Sequence, residues 1–327
     1  MWWWLPILAL IGGFMALIWS ADKFLSGAAS TALNLGVSKM LIGLTVVSVG
    51  TSAPEILVAL AASLEGKPLL AVGNAIGSNI ANIGLVLGAT ALIAPLPFSQ
   101  KVLRAELPWL LGATLLALVL LFDLELALYD GMLLLGGLCA ILFLLVRNQS
   151  SAPESVVESI PDELEELPEM STTAGIWWLI IGLAILVASA RLLVWAATEI
   201  AYQLGVSELI IGLTIVAVGT SLPELAATVG SAIKGHPDIA IGNVVGSNIL
   251  NILAVLAVPG LIDTTAIEAA ALWRDCGMML ALTLMLALFA YGINSVPVIT
   301  RFEGLVILLA WIGYNAMLMQ QAAAYGG

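Results

Sequence analysis

The sequence predicts an all-α protein that crosses a membrane about ten times, in two five-helix halves of inverted topology. Three observations predict this fold class. Hydrophobic residues make up 61% of the 327 residues and charged residues only 10%, whereas a soluble domain carries about 25% charged residues. Apolar stretches long enough to cross a bilayer recur along the whole chain. A polar motif also occurs twice, with the same spacing of 169 residues between every matched position.

Ten candidate spans have polar, proline-containing or glycine-containing ends and approach the length of about 20 apolar residues that crosses the hydrocarbon. They fall at 4–25, 38–63, 69–93, 105–122, 127–146, 174–197, 207–232, 238–262, 275–293 and 302–321. No basic residue precedes the first span and no small-residue cleavage site follows it, so we interpret it as a retained helix. The last five spans repeat the first five in order.

This order divides the chain into two repeats and a linker. We expect a first five-helix repeat at 1–147, with its motif at 45–82, and a second at 174–327, with its motif at 214–251. The acidic linker between them covers residues 148–173. Because five crossings per half is an odd number, equivalent helices must enter the membrane from opposite sides.

Basic residues predict the orientation, because cytoplasmic loops carry an excess of them. With an external N-terminus, six basic residues lie at cytoplasmic helix ends and two lie in external loops. The six are Lys39, Lys101, Arg104, Arg147, Lys234 and Arg301, and the two are Lys67 and Arg274. We therefore expect an integral protein of a prokaryotic inner membrane, with both termini external and the linker cytoplasmic. Much of the net charge of −12 lies in this linker, which we interpret as a solvated spacer. We expect no nucleic-acid partner.

The repeated motif places acids inside apolar stretches. Residues 45–55 read TVVSVGTSAPE and residues 214–224 read TIVAVGTSLPE. Downstream, GNAIGSNIAN at 73–82 returns as GNVVGSNILN at 242–251. An ionisable residue within a membrane segment is costly and marks a site or a pathway. Two copies of such a segment on one chain indicate a transporter with an internal repeat.

Helical spacing puts the polar residues of the first motif on one face. Thr51 and Ser52 lie four and three residues before Glu55, so all three side chains share that face. Pro54 lacks an N–H and crowds the carbonyl of Gly50, which predicts a kink. A carbonyl freed in this way needs a partner in lipid unless it lines a cavity or binds an ion. The second motif repeats the arrangement with Thr220, Ser221, Pro223 and Glu224.

The helix after each motif acid adds a polar stripe at four-residue spacing. Its members are Asn74, Ser78 and Asn82, mirrored by Asn243, Ser247 and Asn251. Carboxylate, hydroxyl, amide and carbonyl oxygens suit hard cations such as Ca²⁺ and Na⁺, and the absence of Cys and His from the motifs disfavours zinc and copper. Two facing glutamates would repel each other unless cations or protons accompany them, which is a physical basis for exchange. We expect no resident cofactor, with Ca²⁺ and Na⁺ as transported ligands.

Other motif residues have plainer predicted roles. Asn79 and Asn248 lie about 100° from the polar stripe, so interhelical hydrogen bonding is at least as well supported for them as ligation. The motif glycines form GxxxG spacings that let helices approach closely. They are Gly73 with Gly77 and Gly242 with Gly246.

These motifs resemble those of the calcium/cation antiporter superfamily, whose best-known members are sodium/calcium exchangers. GTSxPE followed by GNxxGSNxxN, in two copies, carries the resemblance, which covers nearly the whole chain. It implies a ten-helix inverted-repeat fold with clustered mid-membrane cation sites, and Glu55 and Glu224 as central ligands. It further implicates Thr51, Ser52, Ser78, Asn82, Thr220, Ser221, Ser247 and the backbone carbonyls of Ser48 and Ala217.

Asn251 departs from the pattern of the better-studied exchangers, whose second repeat often carries an aspartate there. Both repeats of this chain end in Asn, which leaves two carboxylates in the predicted site. One Ca²⁺ would neutralise that pair, and so would two monovalent cations. We keep Asn251 as a candidate ligand and leave the ion stoichiometry open.

The interpretation that we favour is secondary antiport of Ca²⁺ against Na⁺ by alternating access, with coupling to H⁺ or K⁺ as the alternative. An intramembrane hydrolase with paired carboxylates is less favoured, because its acid and base need unequal roles and this chain duplicates each acid with its neighbours. A passive channel is also less favoured, because an inverted repeat with discontinuous helices suits alternating access. We therefore expect a transporter rather than an enzyme.

Overall fold

The computed structural model describes residues 4–36, 52–149, 170–234, 237–291 and 297–325. Helices account for most of this part of the chain. They are α1 (Trp4–Asn34), α2 (Ala53–Leu64), α3 (Pro68–Ile93), α4 (Val102–Asp123), α5 (Leu128–Gln149), α6 (Thr172–Leu204), α7 (Glu208–Thr220), α8 (Leu222–Ile233), α9 (237–262), α10 (Ala269–Tyr291) and α11 (Arg301–Tyr325).

Within these described ranges, seven helices are long and apolar enough to cross a membrane, or eight if α7 and α8 form one bent span. The predicted span 38–63 cannot be compared in full, because residues 37–51 lie outside the described part of the chain. The fifth predicted span, 127–146, coincides with α5, a helix of 22 residues. By contrast, α1 and α6 continue about two turns beyond the predicted ends of spans 4–25 and 174–197. The chain is an integral membrane protein.

Four two-residue strands depart from the all-α prediction. They are β1 (Leu96–Pro97), β2 (Glu125–Leu126), β3 (Thr265–Ala266) and β4 (Val298–Ile299). A residue that precedes proline is held extended, as Leu96 is, and β-branched residues such as Val298 and Ile299 favour strands. Such short segments lie between helices and carry no periodic signal of their own.

The strands pair in a way that fixes the direction of two helices. β1 pairs antiparallel with β4, and β2 pairs antiparallel with β3. β1 and β2 flank α4, whereas β3 and β4 flank α10. The end at which α4 begins is therefore the end at which α10 finishes, so these two helices run in opposite directions.

Helices α3 and α9 lie at the centre of the molecule. In each, 78% of the most apolar 18-residue window is buried, against 28–44% in the other spanning helices. The outer helices α1 and α6 pack along each other and expose large apolar side chains such as Met15 and Trp177, as a lipid-facing surface does. The polar stripe on α3 is tolerated because the protein surrounds it.

The packing of α3 against α7 depends on glycine. A Cβ atom on Gly73 would lie 2.5 Å from the backbone oxygen of Leu209, and one on Gly212 would lie 2.5 Å from that of Leu70. A Cβ atom on Gly77 would lie 2.7 Å from the Cβ atom of Ala217. The two backbones are thus in direct contact, which confirms the close approach predicted from the GxxxG spacing of Gly73 and Gly77. The described residues do not confirm the same prediction for Gly242 and Gly246, because a Cβ atom on Gly246 would meet no described atom within 4 Å and one on Gly242 would come no closer than 3.6 Å to a described side chain.

Candidate cation site

The helix that carries the second motif is broken at Ser221, two residues before Pro223. α7 ends at Thr220, α8 begins at Leu222, and their axes are bent by 42°. Pro223 lies in the first turn of α8, where its missing N–H removes no helical hydrogen bond. Ser221 occupies the break, and Glu224 follows within the first turn.

The first motif begins its helix in the same way. Pro54 and Glu55 lie in the first turn of α2. Ser52, which precedes this helix, has φ −89° and ψ 4°, and Ser221 has φ −83° and ψ 3°. The two copies therefore present each glutamate from the first turn of a helix that starts at a matching serine.

Both central helices change from α-helix to π-helix at the last asparagine of the motif. A π-helical turn begins at Asn82 in α3 and at Asn251 in α9. Each asparagine is at most 1% exposed. Turns of this kind widen the helix locally and are frequent at functional sites.

The two glutamates are fully buried. Glu55 and Glu224 are each 0% exposed. Neither carboxylate takes part in an ion pair with the described residues. The two acids have equal burial, which gives no support to unequal acid and base roles.

Hydrogen bonds join the first motif to the second. The hydroxyl of Thr220 on α7 is 3.2 Å from Asn74 Oδ1 and can donate to it. The same hydroxyl is 3.4 Å from the Ser78 hydroxyl. Asn74 Nδ2 in turn donates to the backbone oxygen of Glu55, at 3.2 Å. Residues that are far apart in sequence therefore line one polar region between α2, α3 and α7.

Nine buried side-chain oxygens of the predicted ligands have no hydrogen-bond partner among the described residues. They are both carboxylate oxygens of Glu55 and Glu224, the hydroxyls of Ser52, Ser221 and Ser247, and the Oδ1 atoms of Asn82 and Asn251. Leaving one buried polar group unpaired costs about 1–3 kcal/mol. A concentration of such oxygens at the predicted site is what binding of hard cations requires.

Three predicted ligands are placed differently or lie outside the described part. Thr51 and Ser48 fall among residues 37–51, which the structure does not describe. The carbonyl of Ala217 accepts from the backbone N–H of Ser221 at 3.1 Å and lies 3.3 Å from the hydroxyl of Thr220. Its predicted contact with a cation stays a prediction.

The comparison of the two repeats did not identify one polar residue near the site, Thr228. Thr228 lies one turn after Glu224, is fully buried, and accepts a 3.5 Å hydrogen bond from Asn243 Nδ2. Its counterpart in the first repeat is Ala59, so the internal repeat gave no signal. The sequence did contain one indication: Thr228 lies four residues after Glu224, which places both side chains on one face of the helix.

Two buried acids and further unpartnered oxygens within membrane-spanning helices are typical of membrane transport proteins. The chain belongs to the sodium/calcium exchanger protein family, whose profile matches residues 5–147 and 174–320. Family and fold are those of cation antiporters rather than enzymes.

Individual relatives are similar over almost the full length. CaxA of Alkalimonas amylolytica is 47% identical over 306 residues, covering 94% of this chain and 96% of its own. The inner membrane protein YrbG of Escherichia coli K12 is 40% identical over 311 residues, which cover 94% of this chain and 95% of YrbG. A solved structure of the sodium-calcium exchanger NCX_Mj, soaked with 2.5 mM Na⁺ and 0.1 mM Ca²⁺, has a TM-score of 0.64 at 33% identity and covers 95% of this chain and 98% of its own.

Proposed function

We propose that this protein exchanges Ca²⁺ for Na⁺ across the membrane by alternating access to the site between Glu55 and Glu224. The observation that carries the proposal is the group of nine buried, unpartnered oxygens among the described residues. Ca²⁺ takes about 6–8 oxygen ligands, which this set supplies together with backbone carbonyls. NCX_Mj, a sodium-calcium exchanger structure at 33% identity, supports the choice of ions.

The two carboxylates supply the charge that couples the ions. One Ca²⁺ or two Na⁺ neutralise Glu55 and Glu224, so either load leaves the site uncharged. Two unneutralised carboxylates would have to cross a low-dielectric barrier as a net charge, which is expensive. Loaded forms therefore change access and the unloaded form does not, and this difference makes transport an exchange.

Coupling to H⁺ or K⁺ is the second candidate. The observation that favours it is Asn251, an amide where the better-studied exchangers often carry an aspartate. The site therefore has only two carboxylates to neutralise. Protons or K⁺ can neutralise two carboxylates as Na⁺ can. The intramembrane hydrolase has less support, because the two glutamates have equal burial and matching serine and proline neighbours.

We also propose the membrane arrangement: two inverted five-helix repeats, 1–147 and 174–327, joined by a cytoplasmic linker at 148–173. The antiparallel course of α4 and α10 supports it, because these helices occupy equivalent places in the two repeats. The excess of basic residues at one set of helix ends supports external termini. The name of the E. coli relative, an inner membrane protein, supports the inner membrane as the location.

Ion flux in reconstituted vesicles tests the proposed function. Purified protein would be reconstituted, and uptake of radioactive Ca²⁺ would be followed while internal Na⁺, K⁺ and pH are varied one at a time. We expect uptake driven by internal Na⁺. Uptake driven only by K⁺ or by a pH gradient would establish the second candidate, and uptake without any counter-ion would show a channel.

A further inference from the structure

Three buried asparagines form a hydrogen-bonded relay where α3 crosses α9. Asn248 Nδ2 on α9 donates to the backbone oxygen of Asn79 on α3, at 3.4 Å. Asn82 Nδ2 on α3 donates to Asn248 Oδ1, at 3.0 Å. All three residues are at most 1% exposed. The relay begins at a main-chain carbonyl and ends at a predicted cation ligand.

The starting carbonyl fixes the direction of every hydrogen bond in the relay. A carbonyl oxygen can only accept, so Asn248 must turn its Nδ2 atom towards Asn79 and its Oδ1 atom towards Asn82. Asn82 must then present its own Nδ2 atom to that oxygen. Asn82 Oδ1 is left on the opposite side of the amide, where it has no partner among the described residues.

We propose that Asn248 is a positioning residue that holds the amide of Asn82 with its oxygen, rather than its nitrogen, towards the transported cation. This inference rests on the proposed function. An amide oxygen attracts a cation, whereas the NH₂ group repels it, so an amide that can rotate freely is a poorer ligand. Groups that orient a metal ligand from behind typically change metal affinity by about 10–100-fold.

The corresponding relay in the second repeat is not formed by the described residues. Asn79, the counterpart of Asn248, donates its Nδ2 atom to Ala75 within its own helix, at 2.9 Å. Neither amide atom of Asn251 has a hydrogen-bond partner in the described ranges. In this conformation the orientation of Asn82 is therefore fixed, whereas that of Asn251 is not.

The first test replaces Asn248 by leucine, which has the same branched arrangement of side-chain heavy atoms but cannot form either hydrogen bond. We expect Asn248→Leu to weaken Ca²⁺ binding about 10–100-fold, measured by equilibrium dialysis with radioactive Ca²⁺ in detergent. Asn315→Leu is the matched control, because Asn315 is bonded only within its own helix, to Trp311, among the described contacts. Unchanged Ca²⁺ affinity in Asn248→Leu would overturn the proposal. Asn248→Ala gives the same test if leucine prevents folding.

The second test separates positioning from a structural role. Asn82→Asp has two equivalent side-chain oxygens, so the direction in which this group is turned no longer matters. In an Asn82→Asp background, Asn248→Leu should leave Ca²⁺ affinity unchanged or increase it. If Asn248 only maintained the packing, the same loss would occur in both backgrounds, and that result would contradict positioning.

A third measurement does not depend on the identity of the ion. In protein labelled with ¹⁵N-asparagine, the side-chain amide protons of Asn82 should exchange slowly with solvent, and faster in Asn248→Leu. The resonance is assigned by its loss in Asn82→Asp. Equal exchange in both proteins would overturn the relay. If the wild type bound neither Ca²⁺ nor Na⁺, the proposed function would fail, while this comparison would still test Asn248.

Discussion

Three buried serines of the candidate site lack the hydrogen bond within the helix that several other buried hydroxyl groups of this protein make. Thr90 and Thr114 each donate to the carbonyl four residues earlier in their own helices, the usual way to satisfy a hydroxyl in lipid. Ser52, Ser221 and Ser247 make no such bond with the described residues. Their hydroxyl oxygens therefore have lone pairs available to a ligand.

Asn251→Asp tests whether residue 251 reaches the transported ions. A third carboxylate beside Glu55 and Glu224 increases the repulsion in the site, and protons relieve that repulsion as cations do. We expect exchange to become more sensitive to protons, so that activity falls at low pH and shifts to higher pH. At alkaline pH cations should bind more tightly, because the added group is then charged.

The measurement is Ca²⁺ and Na⁺ flux against pH for wild type and Asn251→Asp in the same vesicle preparation. Asn315→Asp, placed in α11, controls for the introduction of an acid elsewhere in the membrane region. Identical pH profiles for wild type and Asn251→Asp would show that residue 251 does not reach the ions, and it would then be removed from the ligand set.

For individual residues, the duplicated motif made most of the candidate site predictable. Each glutamate follows a serine and a proline at identical spacing, so chance does not readily explain an acid at both positions. What the motif could not predict is which atoms pair across the repeats. The contact of Thr220 with Asn74 and the relay through Asn248 depend on how helices cross, which no spacing within one helix specifies.

Among the helical elements, the crossing of α3 and α7 sets the distance between the two motifs. Backbone contact at Gly73 and Gly212 brings Thr220 within hydrogen-bond distance of Asn74 and Ser78. A wider separation would move second-repeat oxygens away from first-repeat oxygens. We therefore expect these glycines to affect the proposed cation site through helix packing alone.

Gly73→Ala and Gly212→Ala should each destabilise the protein and weaken Ca²⁺ binding. The new Cβ atom would lie 2.5 Å from a backbone oxygen of the facing helix, so the helices must separate. Overpacking of this kind costs about 1–3 kcal/mol. Thermal unfolding in detergent would measure the loss.

Gly112→Ala is the matched control for both variants. Gly112 is a helical glycine in α4, and a Cβ atom added to it would meet no described atom within 4 Å. Alanine there should therefore be neutral or stabilise the protein by up to about 1 kcal/mol. If the Gly73 and Gly212 variants unfold at the same temperature as Gly112→Ala, the proposed helix contact does not hold α3 and α7 together.

The sequence predicted the helices better than the segments between them. Long apolar runs located the spans, but their polar ends did not mark where α1 and α6 stop, because these helices extend beyond the apolar run. The two-residue strands were missed because two residues are too few to show alternation. The π-helical turns at Asn82 and Asn251 depend on tertiary packing and left no pattern in the sequence.

For the whole molecule, the membrane orientation can be tested by chemical labelling. In a variant with Cys139 and Cys276 replaced by serine, single cysteines would be introduced at Ser150 in the linker and at Lys67. We expect an impermeant thiol reagent to label position 67 but not position 150 in intact cells, because the basic residues predict an external and a cytoplasmic location. Labelling of position 150 from outside would mean an inverted orientation or a miscounted helix.

The internal repeat predicted inversion from the parity of five helices. The strand pairing gives an independent reason, because it makes α4 and α10 antiparallel. Which side of the membrane the termini face is inferred only from the distribution of basic residues. Residues 37–51 carry much of the first motif and lie outside the described part of the chain.

We propose that the two buried carboxylates, Glu55 and Glu224, make cation transport an obligatory exchange. The most direct test is Ca²⁺ uptake into Na⁺-loaded vesicles by wild type, Glu55→Gln and Glu224→Gln at matched reconstitution. Glu199→Gln is the control, because Glu199 lies on α6 and accepts from Gln203 in the same helix. We predict that wild type and Glu199→Gln take up Ca²⁺ only when internal Na⁺ is present, and that both motif variants lose this uptake. Near-wild-type Ca²⁺ uptake by Glu55→Gln or Glu224→Gln would show that exchange does not depend on these two carboxylates.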